Sequence, residues 1–284
     1  MKFSDYNISK DIKEQLAVLG FNKPTDIQFK AIQHILDGED VMAIAQTGTG
    51  KTAAFAIPTL DKIHRSKMKY KKSGIRCLVM VPTRELAKQI SKVYQDIGAK
   101  TNVKTFGLFG GVEQEQQIRT LNNGIDILVT TPGRMFDLIS QGAIDITGIQ
   151  FLVLDEADKM LNLGFKKEMN QIFEMLPKLR QNLLFSATLS KDLEGIHKLV
   201  LMYPEIIKID VEGHEEFVLR GAVKTLANNN YPKILFESWS ERQEQNNIPS
   251  IQIRKRLFDF LESLGYKIIQ IQGGTDDMFL AEKE

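Results

Sequence analysis

The sequence predicts an α/β protein built on a parallel β-sheet with helices on both faces. Short apolar segments typical of strands alternate with longer segments typical of helices, for example residues 84–99, 112–122 and 189–202, and this alternation indicates strand–helix–strand units. The polar and glycine-rich motifs come directly after strand candidates, where parallel sheets place their ligands. The strand candidates are residues 41–45, 76–81, 103–107, 126–130, 150–154, 182–186 and 205–209.

The composition is that of a soluble globular protein. The chain has 284 residues, of which 43% are hydrophobic and 26% are charged. No apolar run approaches the ~20 residues that span a bilayer, and residues 1–6 lack the apolar core of a signal peptide. The single cysteine, Cys77, lies in a strand candidate, which favours a small buried side chain over a nucleophile. We therefore expect a reducing compartment, a cytoplasmic location and no membrane partner.

The charge is nearly balanced, which argues against bulk electrostatic capture of nucleic acid. Residues 1–210 hold 28 basic and 24 acidic side chains, residues 211–284 hold 9 and 12, and the net charge is +1. A localised basic stripe is still compatible with these numbers. Residues 67–72 form the densest basic cluster. We interpret this cluster as a solvated loop, with nucleic-acid contact as the alternative.

Residues 45–52 predict a phosphate-binding loop. They follow the apolar strand candidate and open a helical run, which is the context that this motif requires. Gly48 and Gly50 allow a tight turn close to an anion, and the backbone N–H groups and helix N-terminus attract phosphates. A glycine- and threonine-rich turn before a buried helix is the structural alternative, and Ala45 departs from the usual first glycine. The residues expected at the nucleotide are Gln46, Thr47, Gly48, Thr49, Gly50, Lys51 and Thr52.

A second motif supplies carboxylates. The apolar run 151–154 ends in Asp155, Glu156 and Asp158. Beside a phosphate loop, Asp155 can hold Mg²⁺ together with the Thr52 hydroxyl, and Glu156 can orient an attacking water molecule. The expected catalytic set is therefore Lys51, Asp155 and Glu156.

These two motifs together resemble those of DEAD-box ATP-dependent RNA helicases. The resemblance covers residues 1–210 and implies the first RecA-like domain of such an enzyme, a P-loop NTPase fold. Residues 20–28 resemble the adenine-recognising Q motif, which implies that Gln28 pairs with the adenine edge and that Phe21 stacks on the base. Phe3 resembles the upstream aromatic residue of that motif, and a buried hydrophobic staple is its alternative role.

Further motifs of the family follow in the same order along the chain. They imply contacts to the backbone of single-stranded or duplex RNA, independent of base sequence, because hydroxyls, amides and arginines at glycine-rich turns read phosphates and not base edges. The implied RNA-binding residues are Pro82, Thr83, Arg84, Gly110, Gly111, Thr131, Pro132, Gly133 and Arg134. The residues implied to couple the nucleotide to the RNA are Asp158, Ser186 and Thr188.

Residues 211–284 do not show the later motifs of a helicase. Residues 208–215 and 218–222 resemble the C-terminal part of FkbM-type methyltransferases. The rest keeps that pattern, with an expected helix at 215–228, strand at 233–237, helix at 250–263 and strands at 266–271 and 278–282. Residues 205–210 suit a strand in both families, so we hypothesise a fusion there that leaves half of a second α/β sheet. The methyltransferase cofactor loop would lie upstream, where helicase sequence stands. Asp210 and Glu212 therefore have no cofactor site to serve.

The sequence thus predicts two parts, a RecA-like ATP-binding domain at 1–210 and a partial α/β segment at 211–284. It predicts ATP and Mg²⁺ as ligands, RNA as a partner, and a second helicase domain or another protein acting in trans. For this chain alone we expect slow ATP hydrolysis and no duplex unwinding. A nucleotide- and RNA-binding module without turnover is the alternative, and a methyltransferase-related protein is the least supported reading.

Overall fold

A computed structural model describes residues 2–46, 48–70, 74–111, 113–188, 206–210, 215–228, 232–237, 244–245, 248–271 and 278–283. Within these ranges a parallel sheet has the strand order β7-β1-β6-β5-β2-β4-β3, with every neighbouring pair parallel. Its strands are β1 (Val41–Ala45), β2 (Cys77–Met80), β3 (Thr105–Leu108), β4 (Ile127–Thr130), β5 (Phe151–Leu154), β6 (Gln181–Ser186) and β7 (Ile206–Asp210). Each of these strands overlaps a strand candidate from the sequence.

Helices connect these strands and cover both faces of the sheet. A short 3-10 helix (Phe3–Asp5) precedes α1 (Lys10–Val18), α2 (Asp26–Asp37), α3 (Lys51–Lys69), α4 (Arg84–Ile97), α5 (Gln114–Asn122), α6 (Pro132–Ser140), α7 (Ala157–Asn162) and α8 (Lys166–Met175). The helix expected at 189–202 lies outside the described residues. Across the described ranges, no helix is both long and apolar enough to cross a membrane.

Strand β1 shows why the sheet is buried on both sides. All five of its residues are at most 2% exposed. Met42 and Ile44 belong to the core on one face, while Val41, Ala43 and Ala45 belong to the core on the other. A continuous apolar run, in place of an apolar–polar alternation, is the pattern that a central parallel strand requires. The strand before the phosphate loop is therefore held rigidly between two layers of helices.

The described C-terminal segments extend this same sheet. They contain α9 (Glu215–Gly221), α10 (Val223–Asn228), β8 (Lys233–Glu237), β9 (Glu244–Gln245), β10 (Ile248–Pro249), α11 (Ser250–Ser263), β11 (Lys267–Gln270) and β12 (Met278–Glu282). Strand β8 pairs parallel with β7, β12 pairs antiparallel with β8, and β11 pairs antiparallel with β12. The result is a ten-stranded sheet, beside which β9 and β10 form a separate antiparallel pair.

The predicted fold class is confirmed, since a RecA-like parallel sheet is followed by a small α/β segment. The fusion hypothesis expected residues 211–284 to form half of a second sheet. Instead, the strands of this segment join the first sheet. Strand β7 pairs with β1 on one side and with β8 on the other, so it joins the two parts in one hydrogen-bonded array. The expected helix at 215–228 is also two helices, α9 and α10.

The tail continues the apolar layer that covers one face of the sheet. Ile234 and Phe236 of β8 are fully buried and belong to the same apolar cluster as Leu257 and Leu261 of α11. Phe236 stacks against Phe279 with ring centroids 5.8 Å apart. On the opposite face, Leu235 packs beside Phe29 of α2.

Candidate functional site

The predicted site residues collect at one edge of the sheet, at the carboxyl ends of parallel strands. The phosphate loop follows β1, the acidic motif follows β5, and the Ser186 motif ends β6, which lies between them. The register aligns Ile44 with Ser186 and Leu154 with Leu184, so β5 ends two residues before β6 and the acidic motif continues from there toward the same edge. Residues remote in sequence thus become neighbours, as expected for a ligand site in this fold class.

The phosphate loop has the backbone conformation that its glycines were expected to provide. Gly48 and Gly50 have φ angles of 89° and 93°, in the left-handed region that favours glycine. Gly50 is the N-cap of α3, so the unpaired N–H groups of the first helical turn face the loop. Thr47 lies outside the described residues. The loop therefore presents backbone donors and the positive end of a helix to an anion.

Lys51 is the first residue of α3 and is almost fully buried. Its side-chain Nζ donates a hydrogen bond of 2.8 Å to the carbonyl oxygen of Ala45, the last residue of β1. The ammonium group thus lies beneath the loop, between strand and helix. Thr52 follows it in the first turn of α3 and is partly exposed.

The Q-motif residues brace this loop. Gln28 is 4% exposed, and its Nε2 donates to the carbonyl oxygen of Gly50 at 3.1 Å. Its Oε1 accepts a 3.0 Å hydrogen bond from the N–H of Thr25, whose hydroxyl donates to the carbonyl of Thr49 at 2.8 Å. The Gln28 amide, which was expected to contact adenine, therefore uses one donor and its oxygen to bind the protein backbone. The hydrogen bond from Thr25 to the loop was not predicted from the sequence.

The aromatic residues of this motif pack against each other. Phe3 is 3% exposed and meets Phe21 edge to face, with ring centroids 5.7 Å apart. Phe3 therefore has the buried packing role that the sequence left open. Phe21 is only partly buried, so part of its ring surface is available for stacking on a base.

The acidic motif places a buried carboxylate next to a strained backbone turn. Asp155 is 3% exposed and accepts a hydrogen bond from the N–H of Glu156 at 3.0 Å. Burial raises the pKa of Asp155 to about 6, the positive charge of Lys51 opposes this rise, and the negative charge of Glu156 adds to it. Glu156 has φ 53° and is the one non-glycine residue with positive φ in the described ranges. Its Oε1 lies 3.0 Å from Nζ of Lys159.

This donor set fits Mg²⁺ bound together with a nucleotide. In the described part of the chain, no three His, Cys, Asp or Glu side chains form a cluster that could hold a metal ion. Magnesium commonly takes one or two protein oxygens and completes its shell with phosphates and water. The Thr52 hydroxyl and the Asp155 carboxylate are oxygens of that kind. A cation would also stabilise the charged form of Asp155, which burial disfavours.

The three predicted coupling residues form one hydrogen-bond network. Oδ2 of Asp158 accepts from the N–H of Thr188 at 3.1 Å and from its hydroxyl at 2.9 Å. The Ser186 hydroxyl donates to the carbonyl oxygen of Thr188 at 2.8 Å. The network joins the last carboxylate of the acidic motif, in the first turn of α7, to the end of β6.

The predicted RNA-binding residues occupy the other half of the same edge. They follow β2, β4 and β3, which are adjacent in the sheet. Thr83 caps α4 by accepting from the N–H of Leu86 at 3.2 Å, and Thr131 is the N-cap of α6, where Pro132 is the first helical residue.

The glycine pair after β3 contacts Arg84, which donates to the carbonyl of Gly110 at 3.4 Å. Gly110 and Gly111 are exposed, and a side chain on Gly111 would collide with the Arg84 guanidinium.

Arg134 is held by glutamines that sequence analysis missed. Its Nε and Nη2 donate to Oε1 of Gln117 at 3.1 and 3.0 Å, and its Nη1 donates to Oε1 of Gln114 at 3.2 Å. Both glutamines lie on α5 and are three residues apart, so they share one face of the helix. The sequence signal for this contact was two glutamines three residues apart after a glycine pair, and this pattern alone does not indicate which side chain they bind.

Two other residues have structural roles. Burial raises the pKa of Cys77 to about 12, which agrees with the expected inert thiol. In the basic cluster at 67–72, Nζ of Lys67 lies 2.7 Å from a carboxylate oxygen of Asp126. Residues 71–72 of that cluster lie outside the described residues.

Comparison with known proteins agrees with this geometry. A DEAD/DEAH box helicase family model matches residues 25–196, and a methyltransferase FkbM domain model matches residues 197–268. The predicted resemblances of both parts are therefore confirmed. The two matches meet upstream of the joint predicted at residues 205–210, which stays a prediction.

Individual relatives are helicases. DEAD-box ATP-dependent RNA helicase CshA of Streptococcus pneumoniae is 42% identical over 209 residues, which cover 74% of this chain and 39% of that protein. DEAD-box ATP-dependent RNA helicase 9 of Oryza sativa is 34% identical, with 100% of this chain and 45% of that protein covered. The chain thus spans less than half the length of these curated relatives.

A solved structure supports the same assignment. The crystal structure of a hypothetical ATP-dependent RNA helicase from Sulfolobus tokodaii superposes with a TM-score of 0.65 at 34% identity, covering 71% of this chain and 57% of that one. The family match extends over more than half of the chain, and its motifs meet at one edge of the sheet. The chain belongs to the DEAD-box helicase family.

Proposed function

We propose that this chain binds ATP with Mg²⁺ at the edge formed by β1, β6 and β5, and binds RNA backbone at the edge formed by β2, β4 and β3. The observation that carries the proposal is the position of Lys51. Its buried ammonium lies beneath a loop whose glycines have left-handed backbone, and its charge acts on the Asp155 carboxylate. Such an arrangement supplies both a phosphate ligand and a metal ligand.

The nucleotide half has a role for each residue. Backbone N–H groups of residues 46–50 and the Lys51 ammonium hold the phosphates, while Thr52 and Asp155 hold Mg²⁺. Glu156 orients the attacking water, and its strained backbone keeps the carboxylate at the strand end. Gln28 and Phe21 select adenine. Bound Mg²⁺ would neutralise charge that develops on the transferred phosphoryl group.

The part of the edge formed by β2, β4 and β3 has the properties of a site that binds the phosphates of RNA. It consists of capped helix starts, an exposed glycine pair and two arginines, which together present backbone donors and positive charge. None of these groups discriminates between bases, so we propose sequence-independent binding. The network of Asp158, Ser186 and Thr188 would transmit nucleotide binding to this half.

Turnover by this chain alone is proposed to be slow, with no duplex unwinding. In related phosphoryl-transfer enzymes an arginine from outside the phosphate loop contributes about 10³–10⁵ in rate. Residues 211–284 carry no helicase motif that would supply one, so we propose that this arginine comes from a second helicase domain or from another protein. A reducing, cytoplasmic setting is proposed on the basis of the single buried cysteine.

The test combines two variants with one nucleotide and one RNA. Lys51→Ala should abolish binding of a fluorescent ATP analogue, because the phosphates lose their cation. Glu156→Gln should bind the analogue normally and lose hydrolysis, measured as phosphate release with and without single-stranded poly(U). Normal ATP binding by Lys51→Ala would refute the site. RNA-stimulated unwinding by the purified chain would refute the proposal of slow turnover.

A second function is compatible with the same site. A nucleotide- and RNA-binding module without turnover would bind both ligands equally well. In that case the parent chain would release phosphate no faster than Glu156→Gln.

A further inference from the structure

We propose that Gln117 is a positioning residue for RNA, which fixes the Arg134 guanidinium and the Phe109–Gly111 loop as one phosphate-binding surface. The inference deepens the proposed RNA-binding function and rests on it. Gln117 belongs to none of the motifs that pointed to RNA, and it lies on α5 between the two loops that it joins.

The first step is the geometry of the side-chain amide. Gln117 is 3% exposed, and both ends of its amide are engaged. Oε1 accepts from Nε and Nη2 of Arg134 at 3.1 and 3.0 Å, while Nε2 donates to the carbonyl oxygen of Phe109 at 3.1 Å. One buried amide therefore connects the loop after β3 to the first turn of α6. A buried amide that lost these partners would carry a desolvation cost, so its orientation is well defined.

The second step is the charge on Arg134. Its hydrogen-bond partners are the amide oxygens of Gln117 and Gln114, which are neutral, and within the described ranges no carboxylate forms an ion pair with it. Arg84, by contrast, lies 3.6 Å from a carboxylate oxygen of Glu85. A guanidinium held by neutral acceptors keeps its full positive charge for an anion. A carboxylate in the place of Gln117 would hold the same group but cancel that charge.

The third step is the number of donors that remain. A guanidinium has five N–H groups, and three of those of Arg134 are used by the two glutamines. Two remain, on the terminal nitrogens, for bonds to phosphate oxygens. Because Nε and Nη2 are both tied to Gln117, the plane of the group is set before a ligand arrives. Such preorganisation reduces the entropy lost on binding.

The fourth step connects this cation to the glycine loop. Gln117 holds the carbonyl of Phe109, and Arg84 holds the carbonyl of Gly110, so side chains from two helices anchor consecutive peptide groups. The exposed Gly110–Gly111 backbone is thereby set relative to Arg134. An RNA backbone that spans both loops would meet a surface of fixed spacing.

The experiment measures RNA affinity for a matched set of variants. A fluorescein-labelled ten-nucleotide poly(U) strand is titrated with the chain in Mg²⁺ and a non-hydrolysable ATP analogue, and anisotropy is recorded at several salt concentrations. Gln117→Ala should weaken RNA binding by about tenfold, because Arg134 loses the two charged hydrogen bonds to Gln117 that orient it. Gln116→Ala, an exposed neighbour on the same helix, should bind like the parent.

Gln117→Glu separates positioning from mere stability, because it has nearly the same shape. It keeps an acceptor for Arg134 but pairs with its charge and loses the donor to Phe109. RNA binding should weaken at least as much as in Gln117→Ala. The slope of the logarithm of the binding constant against the logarithm of salt concentration should become shallower by ~0.7, the contribution of one single-strand phosphate contact. Binding of the ATP analogue should stay within about twofold of the parent in all variants.

A double variant tests whether Gln117 acts through Arg134. The combination of Gln117→Ala with Arg134→Ala should cost less RNA affinity than the sum of the two single variants, because both single variants remove the same contact. If Arg134→Ala weakens RNA binding but Gln117→Ala and Gln117→Glu bind like the parent, the positioning role is refuted and the proposed function stands. If neither Arg134→Ala nor Arg84→Ala changes RNA binding, the proposed RNA function itself fails.

Discussion

The side-chain Nε2 of Gln28 donates to the carbonyl oxygen of Gly50 across 3.1 Å, which ties the first turn of α2 to the phosphate loop. Thr25 adds a second bond, from its hydroxyl to the carbonyl of Thr49. The two contacts hold consecutive peptide groups of a loop whose glycines would otherwise move freely. The shape of the phosphate site thus depends on a motif that was expected to contact only the base.

Gln28→Ala should therefore weaken binding of both ATP and GTP analogues, each by about tenfold, and lower the free energy of unfolding by about 1 kcal/mol. The loop loses its brace whichever base is bound. An additional loss seen only with ATP would measure the adenine contact. The measurement is analogue fluorescence with urea unfolding, and Gln33→Ala, exposed on the same helix, is the control. A loss confined to ATP would contradict the bracing role.

The pKa of Asp155 predicts a pH-dependent cost of folding in the absence of Mg²⁺. Burial raises this pKa to about 6, whereas an unfolded aspartate titrates near ~3.9. Between these values the native state holds a proton that the unfolded state releases, so stability falls as pH rises through that window. Asp155→Asn should be more stable than the parent at pH 7, by on the order of 2–3 kcal/mol, and about equal to it at pH 4.

Urea unfolding in EDTA at pH 4 to 7 measures this difference. Asp145→Asn provides a control of opposite sign. Hydrogen bonds from the hydroxyl and N–H of Thr147 lower the pKa of Asp145, so its contribution is present above the unfolded pKa and is lost as pH falls. This variant should be slightly less stable than the parent at pH 7. An advantage of Asp155→Asn that is the same at pH 4 and pH 7 would exclude the predicted linkage.

The network at Asp158 predicts a variant that separates binding from stimulation. Thr188→Val removes the hydroxyl bond to Asp158 but keeps the backbone bond, so the loss of stability should be about 1 kcal/mol. Binding of the ATP analogue should be retained, and stimulation of phosphate release by poly(U) should fall several-fold. Thr188→Ser keeps the hydroxyl and should behave like the parent. Full stimulation in Thr188→Val would show that the network does not couple the two halves.

The continuous sheet predicts that the tail and the nucleotide-binding part unfold together. Phe236 is fully buried and stacks on Phe279, so Phe236→Ala should cost about 3–5 kcal/mol. Calorimetry should show one transition, shifted downward as a whole, because β7 is paired with both β1 and β8. Phe217→Ala, at a side chain that is 72% exposed, is the matched control.

Two separate transitions, with the upper one unchanged by Phe236→Ala, would contradict a single cooperative unit. Limited proteolysis gives an independent check. If the sheet is cooperative, the strands β7, β8 and β12 should resist cleavage as well as the strands of the preceding part. Early loss of the tail would instead indicate that it folds separately from the nucleotide-binding part.

Much of the fold follows from local pattern. The apolar run at β1 predicts burial on both faces, and the strand–glycine loop–lysine pattern predicts the turn into α3. The positions of Asp155, Ser186 and Thr131 after strands predict a common edge, because parallel strands end on the same side. The bonds of Gln117 could not be predicted in this way. They depend on the distance between α5 and α6, which no local pattern encodes.

By itself, the sequence determined the phosphate loop, the acidic strand end and the family, since each rests on residues adjacent in the chain. Only the tertiary structure decided which residues meet across elements, namely the Gln28 side chain with the Gly50 carbonyl, Asp158 with Thr188, and Gln117 with Arg134. It also decided that the tail extends the sheet. The backbone groups on both sides of a strand such as β7 need hydrogen-bond partners, and long-range packing, not the residues of the strand, sets which strands supply them.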